Sequence, residues 1–166
     1  MAMQASQTNK TYPFILGGNA LVYENETILR DASRVAGHDI AQYTVMAQIA
    51  ASEKWVPWST VTATDGSAIP AGILMNDGGV SGASVIAGDV TGVQILIGTA
   101  VEIDGGQLVF DAYVAGGSSA LALTTVFTGN AAGTGTATPY VVLTCKALLK
   151  MLGIYTKTAY AASKTA

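Results

Sequence analysis

The sequence predicts a mainly β protein with a single helix near its C-terminus. Short runs of β-branched and aromatic residues recur along it, separated by turn formers such as Asp65-Gly66-Ser67, Asn76-Asp77-Gly78-Gly79 and Asp104-Gly105-Gly106. Only one stretch, Leu143 to Leu152, repeats apolar residues at three- and four-residue spacing. The 166 residues include 19 glycines and are 50% hydrophobic but only 11% charged, where about a quarter is usual. A chain of this length suits one domain that buries roughly 70% of its unfolded surface.

Taken in order, residues 1–11 are polar. Leu21-Val22-Tyr23 and Thr27-Ile28-Leu29 read as short strands or extended segments, with Glu24-Asn25 turning between them. Tyr43 to Ile49 alternates poorly but is β-branched at Thr44, Val45 and Ile49. Lys54 to Trp58 is a further strand, and Pro57, which has no N–H to give a ladder, assigns it to a sheet edge. In Asp65-Gly66-Ser67 the Asp side chain is placed to cap its own backbone. Ile69 to Met75 is a short strand that Asn76-Asp77-Gly78-Gly79 stops. Val93-Gln94-Ile95-Leu96-Ile97 is the best strand run, with Gly98 marking a bulge or a close backbone approach. Asp104-Gly105-Gly106 then predicts a hairpin whose return strand is Gln107 to Val114.

Ala115 to Thr138 is rich in Gly, Ala, Ser and Thr around one apolar island, Leu121-Ala122-Leu123, and reads as a loop. Thr138-Pro139 predicts the helix start, an N-cap residue followed by Pro at the first helical position. Leu143, Ala147, Leu148, Met151 and Leu152 form its apolar side, with Lys146 and Lys150 opposite, and Gly153 ends it. Ile154 to Tyr160 reads as a terminal strand.

The composition excludes several function classes. The formal charge is −3 and no basic run occurs, so there is no electrostatic footprint for nucleic acid. A single Cys and a single His leave no internal disulfide, no multi-thiolate or His-rich metal site and few general bases near neutral pH. The N-terminus lacks the charged-then-apolar order of a signal peptide. No segment offers the roughly 20 apolar residues of a membrane span. The expectation is a protein made in a cytoplasm, with no membrane partner. Few charges on a hydrophobic chain leave a surface poor in solubilising groups, which points to a surface covered in the working state.

No catalytic constellation emerges. Glu102 and Asp104 share a strand face and could act as an acid–base pair, although a solvated strand shoulder accounts for them as well. Gly129 to Gly135 lacks the Lys that a phosphate loop needs. Asp65, Asp77 and Asp89 each neighbour glycine without the spacing of a calcium loop, so they read as turns. Cys145 reads as a buried, inert thiol and His38 as an exposed turn residue. Trp55 and Trp58 flank Pro57 as an aromatic edge suited to packing or subunit contact. The expectation is therefore no enzyme, no cofactor and no metal.

Two consecutive runs carry a resemblance. Thr44-Val45 opens the first, and Ala51-Ser52-Glu53-Lys54-Trp55-Val56-Pro57 closes it; Asp65-Gly66 and Gly72-Ile73-Leu74 follow. Together they resemble the head decoration proteins of tailed bacteriophages, of the lambda protein D type. Phe14-Ile15-Leu16, Ile28-Leu29-Arg30-Asp31, Val93 to Phe110 and Leu149 to Tyr155 are similar to further pieces in the same order, so the likeness spans roughly Tyr12 to Tyr160. The chain departs from the pattern at Ala41-Gln42, in its enlarged loop 115–138 and in the tail Ala161–Ala166.

The resemblance implies a compact barrel domain of the β-tulip kind preceded by an extended N-terminal arm. It divides the chain into an arm and capsid-binding segment (1–40), a β-rich core (41–160) and a C-terminal tail (161–166). It also implies a structural virion protein, assembled in the host bacterial cytoplasm, that binds the outside of the expanded head. There it forms homotrimers at three-fold sites on the major capsid protein and stabilises the shell against internal DNA pressure. Tyr12, Phe14, Ile15 and Leu16 are then the capsid-binding anchors, and deletion of residues 1–20 is expected to abolish binding while the core stays folded. Trp55 and Trp58 serve packing or trimer contact. A rival reading has loop 115–138 project from a head fibre or adhesin and bind host glycans.

Overall fold

The computed structural model describes residues 14–30, 37–58, 65–98, 100–110, 121–127 and 143–157. Strands dominate, as the sequence predicts: β1 (Ile15–Gly18), β2 (Val22–Ile28), β3 (Val45–Gln48), β4 (Trp55–Pro57), β5 (Pro70–Leu74), β6 (Val90–Leu96), β7 (Val101–Asp104), β8 (Val126–Phe127), β9 (Leu143–Thr144) and β10 (Ile154–Lys157). Among the described residues two short helices accompany them, α1 (Gly82–Ala87) between β5 and β6 and α2 (Cys145–Met151) between β9 and β10. The strands form three units: a small closed barrel in the order β2-β4-β3-β5-β6, an open sheet in the order β1-β7-β10, and the two-stranded β8-β9.

Barrel closure explains why β3 alternates so poorly. Val45 and Ala47 face one buried cluster with Val56, Ile73, Leu96 and Trp58. Met46 faces another with Trp55, Leu74, Val93 and Ile95. A strand covered on both faces reads as a continuous apolar run rather than as hydrophobic-in, polar-out. The first cluster continues into the open sheet through Phe14, Val101, Ile103 and Ile154, and onto α2 through Cys145 and Leu149. Gly72 makes the barrel tight enough to close. A Cβ there would lie 2.6 Å from Ile95 Cγ2 and 3.2 Å from the Trp55 ring.

Several local expectations are met. Ser67 donates through both N–H (2.9 Å) and Oγ (2.7 Å) to Asp65 Oδ1, the self-capping turn. Gly98 sits where a Cβ would be 2.5 Å from Ile154 Cγ1 and 2.8 Å from the Gly153 carbonyl carbon, so it permits the close approach of barrel and open sheet. One expectation beside these is corrected: Glu24-Asn25 does not turn the chain between two strands but lies within the single strand β2. Asn25 takes φ 64 within one continuous strand, whose pairing with β6 shifts register there, a bulge that a short polar side chain tolerates.

Other expectations are corrected as well. The predicted hairpin does not form: β6 pairs with β2 and β5, whereas β7 pairs with β1 and β10. Asp104-Gly105-Gly106 is a 3₁₀ turn, because Asp104 Oδ1 accepts from Gly106 N–H at 3.0 Å and caps it. The strand Trp55–Pro57 is not at an edge, since β2 lies on one side and β3 on the other. Pro57 is tolerated as its last residue.

The C-terminal helix starts at Cys145, with Thr144 Oγ1 accepting from Ala147 N–H at 3.2 Å as the N-cap. The Thr138-Pro139 start expected from sequence lies outside the described residues. Finally, the sequence reading missed α1, whose six residues are too few to show a helical period. Asp39 Oδ1 accepts from Gly82 N–H at 3.0 Å and holds its start.

Two segments within the expected arm 1–40 are strands of the described sheets. β1 pairs with β7, and β2 closes the barrel with β6, so residues 15–18 and 22–28 belong to the folded body. Residues 1–13 lie outside the described residues. Deleting residues 1–20 would therefore remove β1 and Phe14 from the body, and a truncation ending at residue 13 is the cleaner test of an arm.

Candidate functional site

Two kinds of surface compete for a functional role: the segment predicted to hold anchors, and the exposed face of the open sheet with α2. Tyr12 lies outside the described residues. Phe14 is fully buried, its ring stacked on Tyr43 at 4.1 Å between centroids and 8° between planes. Tyr43 presents that platform from φ 66, a strained backbone held by Tyr43 N–H to Leu74 O (2.8 Å) and Val109 N–H to Tyr43 O (3.0 Å). Asp104 N–H donates to Phe14 O at 2.9 Å. Phe14 is thus a pin that fixes where the leading segment meets the body. Ile15 packs against the main cluster. Leu16 is the exposed member of the group, at 41%.

Trp55 and Trp58 are both buried, in different clusters. Trp55 Nε1–H donates to Glu26 Oε2 at 2.6 Å, a charge-assisted bond that ties β4 to β2. Trp58 Nε1–H donates to Ala68 O at 2.9 Å, and its ring meets Phe110 edge-on at 6.2 Å. Their surface is used within the chain.

The remaining candidates fall into structural roles. Glu102 and Asp104 do not face a shared substrate space. Glu102 pairs with Lys157 at 2.6 Å, while the buried Asp104 caps the 3₁₀ turn and accepts from Gln107 Nε2 at 2.9 Å. Asp89 is a crosslink. Its carboxylate accepts from Arg30 N–H (2.7 Å) and from Lys54 Nζ (2.6 Å). The Arg30 backbone bond first, then the Lys54 ammonium, hold this carboxyl below the ordinary range. Arg30 Nε donates in turn to Ile86 O at 2.9 Å, so the end of β2 is tied to α1.

Cys145 is buried at the start of α2, and burial pushes its thiol up to about 12. That is the environment of an inert cysteine, as the sequence predicts. His38 is exposed, as expected. Gly129 to Gly135 lies outside the described residues. Among the described residues no cluster of His, Cys, Asp or Glu could hold a metal ion, and no helix is long and apolar enough to cross a membrane.

Sequence reasoning missed the exposed apolar residues at the end of α2 and on β10. Met151 is 72% exposed, Leu152 38% and Tyr155 40%, although Met151 and Leu152 are expected on the buried side of the helix. The helix ends at Met151, so its core contact is made by Cys145, Leu148 and Leu149. Lys146 and Lys150 of the same helix are also exposed. Across the same sheet Gly17, Glu102 and Tyr155 stand abreast. The signal available in the sequence was one residue offset: Leu148-Leu149 and Met151-Leu152 both fit a helical stripe, and only the helix length separates them.

Such an arrangement offers surfaces for assembly, without a metal cluster or a substrate-facing acid pair among the described residues. The comparisons agree with it. Neither the curated proteins nor the solved structures give a match to the chain. The family profile described as bacteriophage lambda head decoration protein D matches residues 10–123, from ahead of β1 through β7 to the Leu121-Leu123 island. On that match the chain belongs to the bacteriophage lambda head decoration protein D family, the structural proteins of the phage head.

Proposed function

We propose that this chain binds the outside of the expanded phage head as a homotrimer at three-fold sites and braces the shell against internal DNA pressure. The observation that carries this reading is the family match over residues 10–123. A small β body, with exposed apolar side chains confined to a few positions, is consistent with it. In this reading the segment ahead of Phe14, including Tyr12, reaches the major capsid protein and adds to its strands. Phe14 anchors the root, and Ile15 and Leu16 continue the contact. Strand addition supplies main-chain hydrogen bonds without requiring particular side chains on the shell. Three linked copies convert modest contacts into stable retention, because each bound arm holds its neighbours at high local concentration.

The test is co-sedimentation of the purified chain with expanded, undecorated heads of its source phage, followed by electron microscopy. Saturable uptake with three-lobed density at the three-fold positions is expected, and a variant lacking residues 1–13 should fold normally yet lose most uptake. Absence of the chain from virions and from reconstituted heads overturns the decoration reading. Full uptake by the truncated chain overturns the role of the arm.

A further inference from the structure

Three Asp-Gly steps occur in this chain, at Asp65-Gly66, Asp77-Gly78 and Asp104-Gly105. They share one intrinsic reactivity. Glycine carries no Cβ, so its amide nitrogen can approach the preceding side-chain carboxyl closely. The fold treats the three steps differently. At Asp65 the carboxylate accepts from Ser67 N–H at 2.9 Å and from Ser67 Oγ at 2.7 Å. Ala50 N–H donates to the Asp65 carbonyl at 2.8 Å, and a Cβ on Gly66 would lie 2.5 Å from Gln48 O. Asp104 is buried, its Oδ1 accepting from Gly106 N–H at 3.0 Å and its Oδ2 from Gln107 Nε2 at 2.9 Å. Both carboxyls are committed to other donors.

Asp77-Gly78 has neither restraint. Both residues are exposed, and the Asp77 carboxylate has no hydrogen bond or ion pair among the described residues. Gly78 N–H has no acceptor there either. Gly78 takes φ 75, and a Cβ on it would meet nothing within 4 Å. The chain on either side is clamped. Asn76 Oδ1 accepts from Gln94 N–H at 2.7 Å, and Gly79 N–H donates to Asn76 O at 3.0 Å. Val80 exchanges both backbone bonds with Ile40 at 2.8 Å, and a Cβ on Gly79 would strike Ile40 O. A free tip thus joins two fixed ends.

We propose that Asp77-Gly78 is a site of spontaneous backbone modification, which converts to isoaspartate in the folded chain while the other two steps are protected. The Gly78 amide nitrogen attacks Cγ of the protonated Asp77 carboxyl. An N–Cγ bond forms, and the carboxyl hydroxyl leaves with the amide proton as water, giving a cyclic imide. Water then adds at either carbonyl. Addition at Cγ breaks the new bond and restores aspartate. Addition at the main-chain carbonyl breaks its bond to Gly78 N. The chain then runs on through Cβ and Cγ, and the carboxylate sits on Cα. Water is the only co-reactant, and mass and charge are unchanged. The backbone gains an atom between clamped ends, so the Asn76–Gly79 bond is lost first and the strain reaches the Ile40–Val80 bridge.

The experiment ages the full chain in warm, mildly acidic buffer, both folded and in urea. Peptide mapping with fragmentation that separates aspartate from isoaspartate reads each site. Methyl transfer from labelled S-adenosylmethionine by a protein-isoaspartate methyltransferase measures the total product. Asp65 and Asp104 must each give up two hydrogen bonds before reacting, so in the folded chain isoaspartate should form about tenfold faster or more at residue 77. In urea the three rates should converge, because the sequence step is the same. Amide hydrogen exchange of the aged folded chain should quicken at Ile40 and Val80 and stay unchanged in β7 and β10.

Asp77→Glu lengthens the side chain, which disfavours ring closure, and gives up no bond; it should fold normally and abolish both effects. Equal rates at all three steps in the folded chain, or faster reaction at residue 65 or 104, overturn the proposal. So does an unmodified residue 77 in the folded chain when the urea sample reacts. Isoaspartate at residue 77 with unchanged exchange at Ile40 and Val80 supports the site and overturns its effect on the bridge.

Discussion

The closed barrel and the open sheet are built from similar strands and put them to different use. In the barrel every strand has a neighbour on each side, and β3, β4 and β5 are buried on both faces. Their apolar surface is spent on the fold, including both tryptophans. The open sheet has two edges, β1 and β10. It buries one face against the barrel through Phe14, Val101, Ile103 and Ile154 and leaves Leu16 and Tyr155 exposed. Edges and uncovered apolar side chains are liabilities in a free monomer. The open sheet is therefore the unit that has both free edges and the exposed Leu16 and Tyr155 to cover.

If this division is right, truncations in the barrel should be far more damaging than equal truncations on the open sheet. Trp55→Ala should lower stability by about 3–5 kcal/mol, since it opens a cavity and strands the Glu26 carboxylate. Tyr155→Ala should change it by less than about 1 kcal/mol, as a half-exposed side chain on the solvent face. Urea denaturation followed by circular dichroism measures both, and equal losses would break the comparison.

The next largest effect is expected at the joint. Gly98→Ala should cost about 1–3 kcal/mol, because the added methyl collides with Ile154 and the Gly153 backbone. Hydrogen exchange should show the loss concentrated in β7 and β10; uniform loss through the barrel would mean that the two units are one. Smaller still, Thr144→Ala removes the N-cap of α2 and should cost about 1 kcal/mol, with β3 to β5 unaffected in their exchange rates.

A pH dependence confined to alkaline solution is carried by Cys145. Its folded-state thiol is raised to about 12, above the ordinary value near 8.5, so the folded state favours the protonated thiol. That contribution is complete below about pH 8.5 and is lost as pH rises toward 12. Thiol labelling at pH 8 should be slow in the folded chain and fast in urea; equally fast labelling in both would show that α2 does not seal the core.

Much of the strand content was legible because β-branched runs and Asp-Gly or Asn-Asp-Gly turns act locally. Asp65 caps its own turn with atoms two residues away, and Cys145 is buried by a helix whose stripe can be counted. The hairpin at Asp104-Gly105-Gly106 was misread for the opposite reason. A Gly-containing turn between two apolar runs fits a hairpin, yet β7, the run ahead of that turn, is paired on both sides by β1 and β10, partners far away in sequence. Of the candidate site, the aromatic and apolar residues were recognised as important, but their direction was not. Phe14 and both tryptophans point inward, and Met151 points outward.

The sequence by itself determined the mainly β class, the short elements, the inert cysteine and the family, since each rests on local propensity or on the order of residues. Only the tertiary structure decided that β4 lies inside a closed barrel, that β10 runs parallel to β7, and that Met151 and Leu152 are left exposed. Strand pairing and exposure are set by contacts between residues distant in sequence, and a local pattern carries no record of which partner closes them.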